Sequence, residues 1–306
     1  STSCSGSKDT SRVKLVYLKA RLVAASLVMP IMILVIASLA FCSPAWPGMT
    51  TAETHQRLAE AEQLYRRDGP ESALPVFEAL AETFRLSGDK PAEAVATGYI
   101  GEIYWRLGDY QQAGDYLGRA LAMKRDAGDR LQQGKTLNVL GLLRWDQGEF
   151  EQAQAYFQEG SAIAEELGDR RLAGAILNNL SLVYDELGDY YVSLEQYQRV
   201  LDLYKDVDFP RGEGDTLGNI GGVYLLLGRY QEALDYYQRA LAISEQLDSA
   251  ISMSQDHGNI ALCYLGLGQT DTALGHLDQA ITLAVQAGMQ QDQAYWLRGR
   301  GNAWLL

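Results

Sequence analysis

Cysteine is scarce. The 306-residue chain has only three, too few for a disulfide framework, and no C-x-x-C pair suggests a zinc or redox site. Histidine is equally scarce at three, which leaves little material for a histidine-rich metal centre. Basic residues are outnumbered by acidic ones, 26 to 39, for a formal charge of −13. That balance argues against nucleic acid as the main partner, because phosphate binding needs a basic face. Catalytic signatures are missing as well: there is no G-x-S-x-G elbow, Walker loop or H-E-x-x-H. Gly212-Glu213-Gly214 resembles the start of a dinucleotide fingerprint, but Leu217 stands where the third glycine belongs and no strand precedes it. Proline falls to 7 while glycine reaches 30, with 47% hydrophobic and 21% charged residues, an ordinary globular composition. Intrinsic disorder and a collagen-like repeat are thereby excluded. The expectation is a chain without catalytic residues, cofactor or metal.

The chain begins with a leader. Lys8, Arg12, Lys14, Lys19 and Arg21 face one acid, Asp9, so residues 1–21 carry +4 and the rest of the chain −17. An uncharged apolar stretch runs over residues 22–42, long enough to cross a bilayer core of roughly 30 Å as a helix. Pro44 and Pro47 then stop it. Residues 1–48 thus read as a basic region plus a hydrophobic signal peptide or transmembrane anchor. The basic flank predicts an N-inside orientation and an exported, periplasm-like location for residues 49–306. Ser38-Leu39-Ala40 and Ser43-Pro44-Ala45 resemble cleavage sites; the length of the segment favours an anchor.

Length alone suggests about two domains, but residues 49–306 are one unit copied. Gly108, Gly148, Gly188, Gly228 and Gly268 recur every 40 residues. A second column, Gly88, Gly128, Gly168 and Gly288, has the same period, with Asp208 and Asp248 between. Glycine just past a helix accepts the left-handed conformation that closes it, and the Asp that often comes next can cap the following helix. Helix ends therefore fall about every 20 residues, giving pairs that start near Thr51, Pro91, Arg130, Arg170, Arg211 and Ile251, then a single helix near Gln291. Size alternates inside the pairs. Small residues (Gly101, Gly141, Ser181, Gly221, Ala261) on first helices match large ones (Leu117, Phe157, Tyr197, Tyr237, Leu277) on second helices, as close backbone packing requires.

These columns resemble the tetratricopeptide repeat: Leu217, Ile220-Gly221, Tyr224, Ala233 and Tyr237 match its apolar, Leu-Gly, Tyr, Ala and aromatic pattern. The period of 40 is similar to repeats of kinesin light chains and spindle-orientation adaptors, and to bacterial arrays carrying a CHAT domain. The resemblance implies an all-α, right-handed superhelical solenoid of antiparallel helix pairs, about six and a half repeats preceded by the hydrophobic leader helix. It also implies a concave face, lined by first helices, on which a partner segment lies. Asn179, Asn219 and Asn259 form one column there, and Asn138 and Asn178 sit one residue earlier in theirs. An amide both donates and accepts, so such a ladder can hold an extended backbone; packing against neighbouring helices is the competing role.

Trp105, Trp145, Lys135 and Asp215 complete the candidate face, with Arg106, Asp146, Asp185, Glu186 and Gln255 near it. Its acidity favours a neutral or basic protein or peptide segment. Three roles are open: a non-enzymatic interaction scaffold, the sensory portion of a longer CHAT-type peptidase truncated at residue 306, and a structural subunit of a membrane complex contacting the bilayer through residues 22–42. Cys263 falls in an apolar column and reads as a buried thiol; His55, His257 and His276 read as surface or groove histidines.

Overall fold

The computed structural model describes residues 51–303, and every regular element there is an α-helix. The leader, residues 1–48, and the terminal Trp304, Leu305 and Leu306 lie outside the described residues. Among the described residues no helix is long and apolar enough to cross a membrane. The helices are α1 Thr51–Asp68, α2 Pro70–Ser87, α3 Lys90–Arg106, α4 Tyr110–Asp126, α5 Arg130–Asp146, α6 Phe150–Glu166 and α7 Arg170–Leu187. Next come α8 Tyr190–Lys205, α9 Pro210–Leu226, α10 Tyr230–Gln246, α11 Ala250–Gly266, α12 Thr270–Gln286 and α13 Gln290–Ala303. The starts expected from the glycine columns hold to within one residue.

The ends are made as the columns imply. All nine expected glycines have positive φ, and Asp208 and Asp248 adopt φ of 47° and 50° in the two places between them. At Gly108 the helix closes twice: its N–H donates to Trp105 O at 3.0 Å and the Asp109 N–H to Tyr104 O at 2.9 Å. This pattern uses up carbonyls the helix cannot satisfy internally. Asp109 then caps the next helix, its carboxylate accepting from the Gln112 N–H at 3.1 Å; Asp89, Asp129 and Asp169 do the same for Ala92, Gln132 and Leu172. Each such cap contributes about 1 kcal/mol.

The fold divides into two units, residues 51–183 and 184–303. In the first, one core joins α1, α2 and α3 through Ala61, Phe77, Phe84, Ile100 and Ile103, with Phe77 stacked on Tyr99 at 4.6 Å. A second joins α4, α5 and α6 through Leu117, Leu137, Leu140, Leu143 and Ile163. In the second unit Leu225, Tyr237, Ile260 and Cys263 form one core, and Ala261, Ala273, Leu277, Ala280 and Trp296 another. Small positions are where backbones come closest. A methyl group added at Gly141 would run into the Phe157 ring, and one at Gly221 would stand 3.0 Å from the Tyr237 ring. Cys263 is fully buried, and burial pushes its thiol up to about 12, so it packs as a small apolar group.

One core position breaks its column. Where other pairs have Phe84, Ala164, Tyr204, Ser244 and Ala284, the second helix α4 carries Lys124, 4% exposed. Its ammonium donates to Thr136 Oγ1 at 2.8 Å and fills the space that Gly98 leaves. Burial lowers the amine to about 8, against the raising influence of Asp129. The folded state therefore holds this proton less tightly than the unfolded chain, so wild-type stability rises as pH increases from about 8 to about 10. Lys124→Met is expected to gain about 1–2 kcal/mol at neutral pH and to lose that alkaline rise. Urea denaturation of both proteins at neutral and alkaline pH measures it.

Candidate interaction face

The first helices of successive pairs touch: α3 meets α5 in one unit, and α9 meets α11 and α11 meets α13 in the other. Residues in their last turns or centres can therefore bond across. In the unit 51–183 several bonds do so. Tyr65 Oη donates to Glu102 Oε1 at 3.0 Å, Trp105 Nε1 to Asp146 Oδ2 at 2.6 Å, and Asn179 Nδ2 to Asn138 Oδ1 at 2.9 Å. The latter two each span 41 residues, one more than the repeat. A residue thus reaches the neighbour one position beyond its own equivalent.

Charge collects around the first two bonds. The Arg106 guanidinium lies 5.7 Å from the Tyr65 ring centre and 5.5 Å from that of Trp105, and pairs with Glu102 at 3.4 Å. Burial raises the Asp146 carboxyl, and the bond from Trp105 works in the opposite direction. In the unit 184–303, Asp215 on α9 is exposed at the surface, yet partial desolvation of its carboxyl raises it against the pull of Arg211. Asp292 on α13 is raised by burial and is bonded by Gln255.

The expected face residues take up three kinds of position. Asn138, Asn178, Asn179, Asn219 and Asn259 are all half-buried, as are Trp105 and Trp145, while Lys135 and Asp215 are exposed. Asn138 and Asn179 bond each other, so part of the expected amide ladder is spent on holding α5 to α7. Trp105 is committed to Asp146; the Trp145 Nε1 is buried with no hydrogen-bond partner among the described residues. Asp185 departs most from expectation: it is 7% exposed, turned into its own helix pair and bonded by Tyr197 Oη at 2.8 Å. Sequence reading missed Tyr65 and Glu102, whose link the degenerate first pair concealed. It also missed that His257 and His276 meet, Nδ1 to Nδ1, at 3.0 Å. Among the described residues no three His, Cys, Asp or Glu are grouped to hold a metal ion.

Comparison with known proteins matches this architecture. The tetratricopeptide repeat model matches residues 50–126, 132–206 and 212–286, most of the chain. No curated protein matches it. Among solved structures, the apo quorum sensor NprR from B. thuringiensis superposes with TM-score 0.65 at 18% identity, covering 83% of this chain and 72% of that one. A Rap protein complexed with Competence and Sporulation Factor gives 0.62 at 13% identity, covering 83% and 76%. A Podosopora anserina putative kinesin light chain with nearly identical TPR-like repeats gives 0.54 at 17%, covering 65% and 98%. At such identities these likenesses establish the fold, while the three matched segments establish descent. With its paired helices, left-handed closures and small-large columns, the chain belongs to the tetratricopeptide repeat family.

Proposed function

We propose that this chain is a non-enzymatic interaction scaffold, exported or held at a membrane by its apolar leader, which binds a segment of another protein along its first helices. One observation carries the reading. In each unit the first helices present half-buried amide or indole side chains (Trp145 and Asn178 in one, Asn219 and Asn259 in the other) that belong neither to the core nor to the freely solvated surface. Such groups can take an extended backbone by its amides while an indole anchors a side chain. A fold likeness to a Rap protein in complex with Competence and Sporulation Factor agrees with this use of the architecture. The −13 charge favours a neutral or basic segment, whose capture weakens as salt rises. Export rests on the basic flank and the apolar run of the leader.

The test uses Asn178, Asn219 and Asn259, leaving the Asn138–Asn179 bond in place. Partners are first co-purified from native membranes and identified by mass spectrometry. The triple Ala variant is expected to keep its helical circular dichroism and to bind at least about tenfold more weakly, a loss near 1.4 kcal/mol. Unchanged capture by a folded variant would remove the first-helix face from the proposal.

A further inference from the structure

Two departures from the repeat meet in space. Position 257 continues a column of Thr97, Leu137, Leu177 and Leu217, and position 276 a column of Tyr116, Tyr156, Gln196 and Tyr236. In the α11–α12 pair both are histidine. His276 keeps the geometry of the tyrosine it replaces: it stacks on Tyr264 at 5.5 Å and 19°, as Tyr236 stacks on Tyr224 at 5.4 Å and 15°. His257 occupies the leucine position on α11, half-buried, and its Nδ1 lies 3.0 Å from His276 Nδ1.

The ring centres are 5.2 Å apart, little less than the 3.0 Å contact plus the two centre-to-nitrogen distances. The nitrogens therefore face each other nearly head-on. That arrangement suits one N–H···N bond, with one ring donating from Nδ1 and the other accepting on its lone pair. It does not suit two bound protons, which would leave two N–H groups and two positive charges opposed. Nor does it leave room between the nitrogens for a metal ion at coordination distance.

From this geometry we propose that His257 and His276 form a single-proton pair that makes the α11–α12 packing acid-sensitive. At neutral pH the pair joins first helix to second. Protonation of both rings breaks the bond and sets like charges against each other inside the pair. Burial and the opposing ring act on His257, burial alone on His276, and all hold the rings below the usual histidine range. Acids of the flanking helices are engaged elsewhere. Asp256 of α11 accepts from Ser244 of α10 and feels Asp215 of α9; Asp292 of α13 is bonded by Gln255; Asp278 of α12 pairs with Arg300 of α13. None of them supplies a counter-charge to the imidazoles. Because the folded state resists these protons, the pair's contribution is lost progressively as pH falls below the unfolded histidine value of about 6.5.

The experiment compares the full chain with His257→Leu/His276→Tyr, which restores residues the other pairs already use. Between about pH 7.5 and pH 5 the wild-type melting temperature is expected to fall by about 2–4 °C more than that of the variant. Asp256, raised to about 7, is present in both proteins, so its opposite dependence cancels in the difference. Imidazole NMR of the wild type gives an independent reading, since the chain has only three histidines. Two signals should move together, one proton being taken up below the ordinary value and the second only at far lower pH. Independent titration of both rings at the ordinary value would overturn the proposal. So would an equal acid shift in the two proteins, or stabilisation of the wild type alone by added Zn²⁺, which would mean that the rings part to chelate.

Discussion

Phe157→Ala is expected to cost about 3–5 kcal/mol. The ring is fully buried on α6 and lies against Gly141 of α5, where any side chain on the opposite helix would collide with it. Truncation removes the apolar contact and leaves a cavity that the rigid, small-residue face of α5 cannot close. In a repeat protein the damage concentrates locally, because each pair depends mainly on its neighbours. Hydrogen exchange should accordingly show the amides of α5 and α6 losing protection well before those of α1 or α2, alongside a lower urea midpoint. The repeats offer a compensated control. Gly141→Ala with Phe157→Leu copies the Ala261–Leu277 combination, buried in the later unit, and is expected to lose less than half as much. Equal losses for the two variants would mean that size matching across α5 and α6 is not what holds them.

The second large effect is polar. Tyr197→Phe is expected to cost about 1.5–3 kcal/mol, although Phe157 shows that the same column accepts a phenyl ring. The lost group is the phenol that donates to Asp185 Oδ2 at 2.8 Å in a site where Asp185 is 7% exposed and Tyr197 fully buried. Removing the donor leaves a carboxylate in a poorly hydrated place with one fewer bond, and such asymmetry costs more than the bond itself contributes. Later pairs have Leu225 and Leu265 where Asp185 stands. Asp185→Leu combined with Tyr197→Phe should thus recover most of the loss, which a double-mutant cycle in urea denaturation measures.

The helices were legible in the sequence because their ends are made by single residues. A glycine with positive φ closes most of them, Asp208 and Asp248 close two more, and an Asp carboxylate often opens the next, so Gly108-Asp109 or Gly128-Asp129 marks a boundary without reference to the rest of the fold. The cores were legible because Gly141 and Phe157 recur as a small-large pair down their columns. The polar contacts were less legible, for two reasons. Trp105–Asp146 and Asn138–Asn179 connect positions 41 apart, so residues sharing a column are not the ones that bond. Lys124–Thr136, Tyr197–Asp185 and Ser244–Asp256 each connect positions 12 apart and occur where a column is broken. A column reports what all pairs share; Lys124, Asp185 and the two histidines are informative because they depart from it. The face residues remain intermediate, since half-burial of Asn219 or Asn259 results from register, whereas the identity of what lies upon them does not.

The 41-residue reach of those bonds also bears on how the chain comes to be folded. Within each unit contacts run between consecutive helices and between the first helices of successive pairs, so the separation to be bridged does not grow as pairs are added. Loop-closure entropy rises with separation, and low contact order goes with rapid folding. Early pairs can therefore assemble while later ones are still being synthesised, without waiting for a distant segment to complete them. Duplication of one 40-residue unit then lengthens the protein at nearly constant kinetic cost. Growth of this kind supplies new surface first and lets residues such as His257 and His276 diverge afterwards, on a framework that already folds.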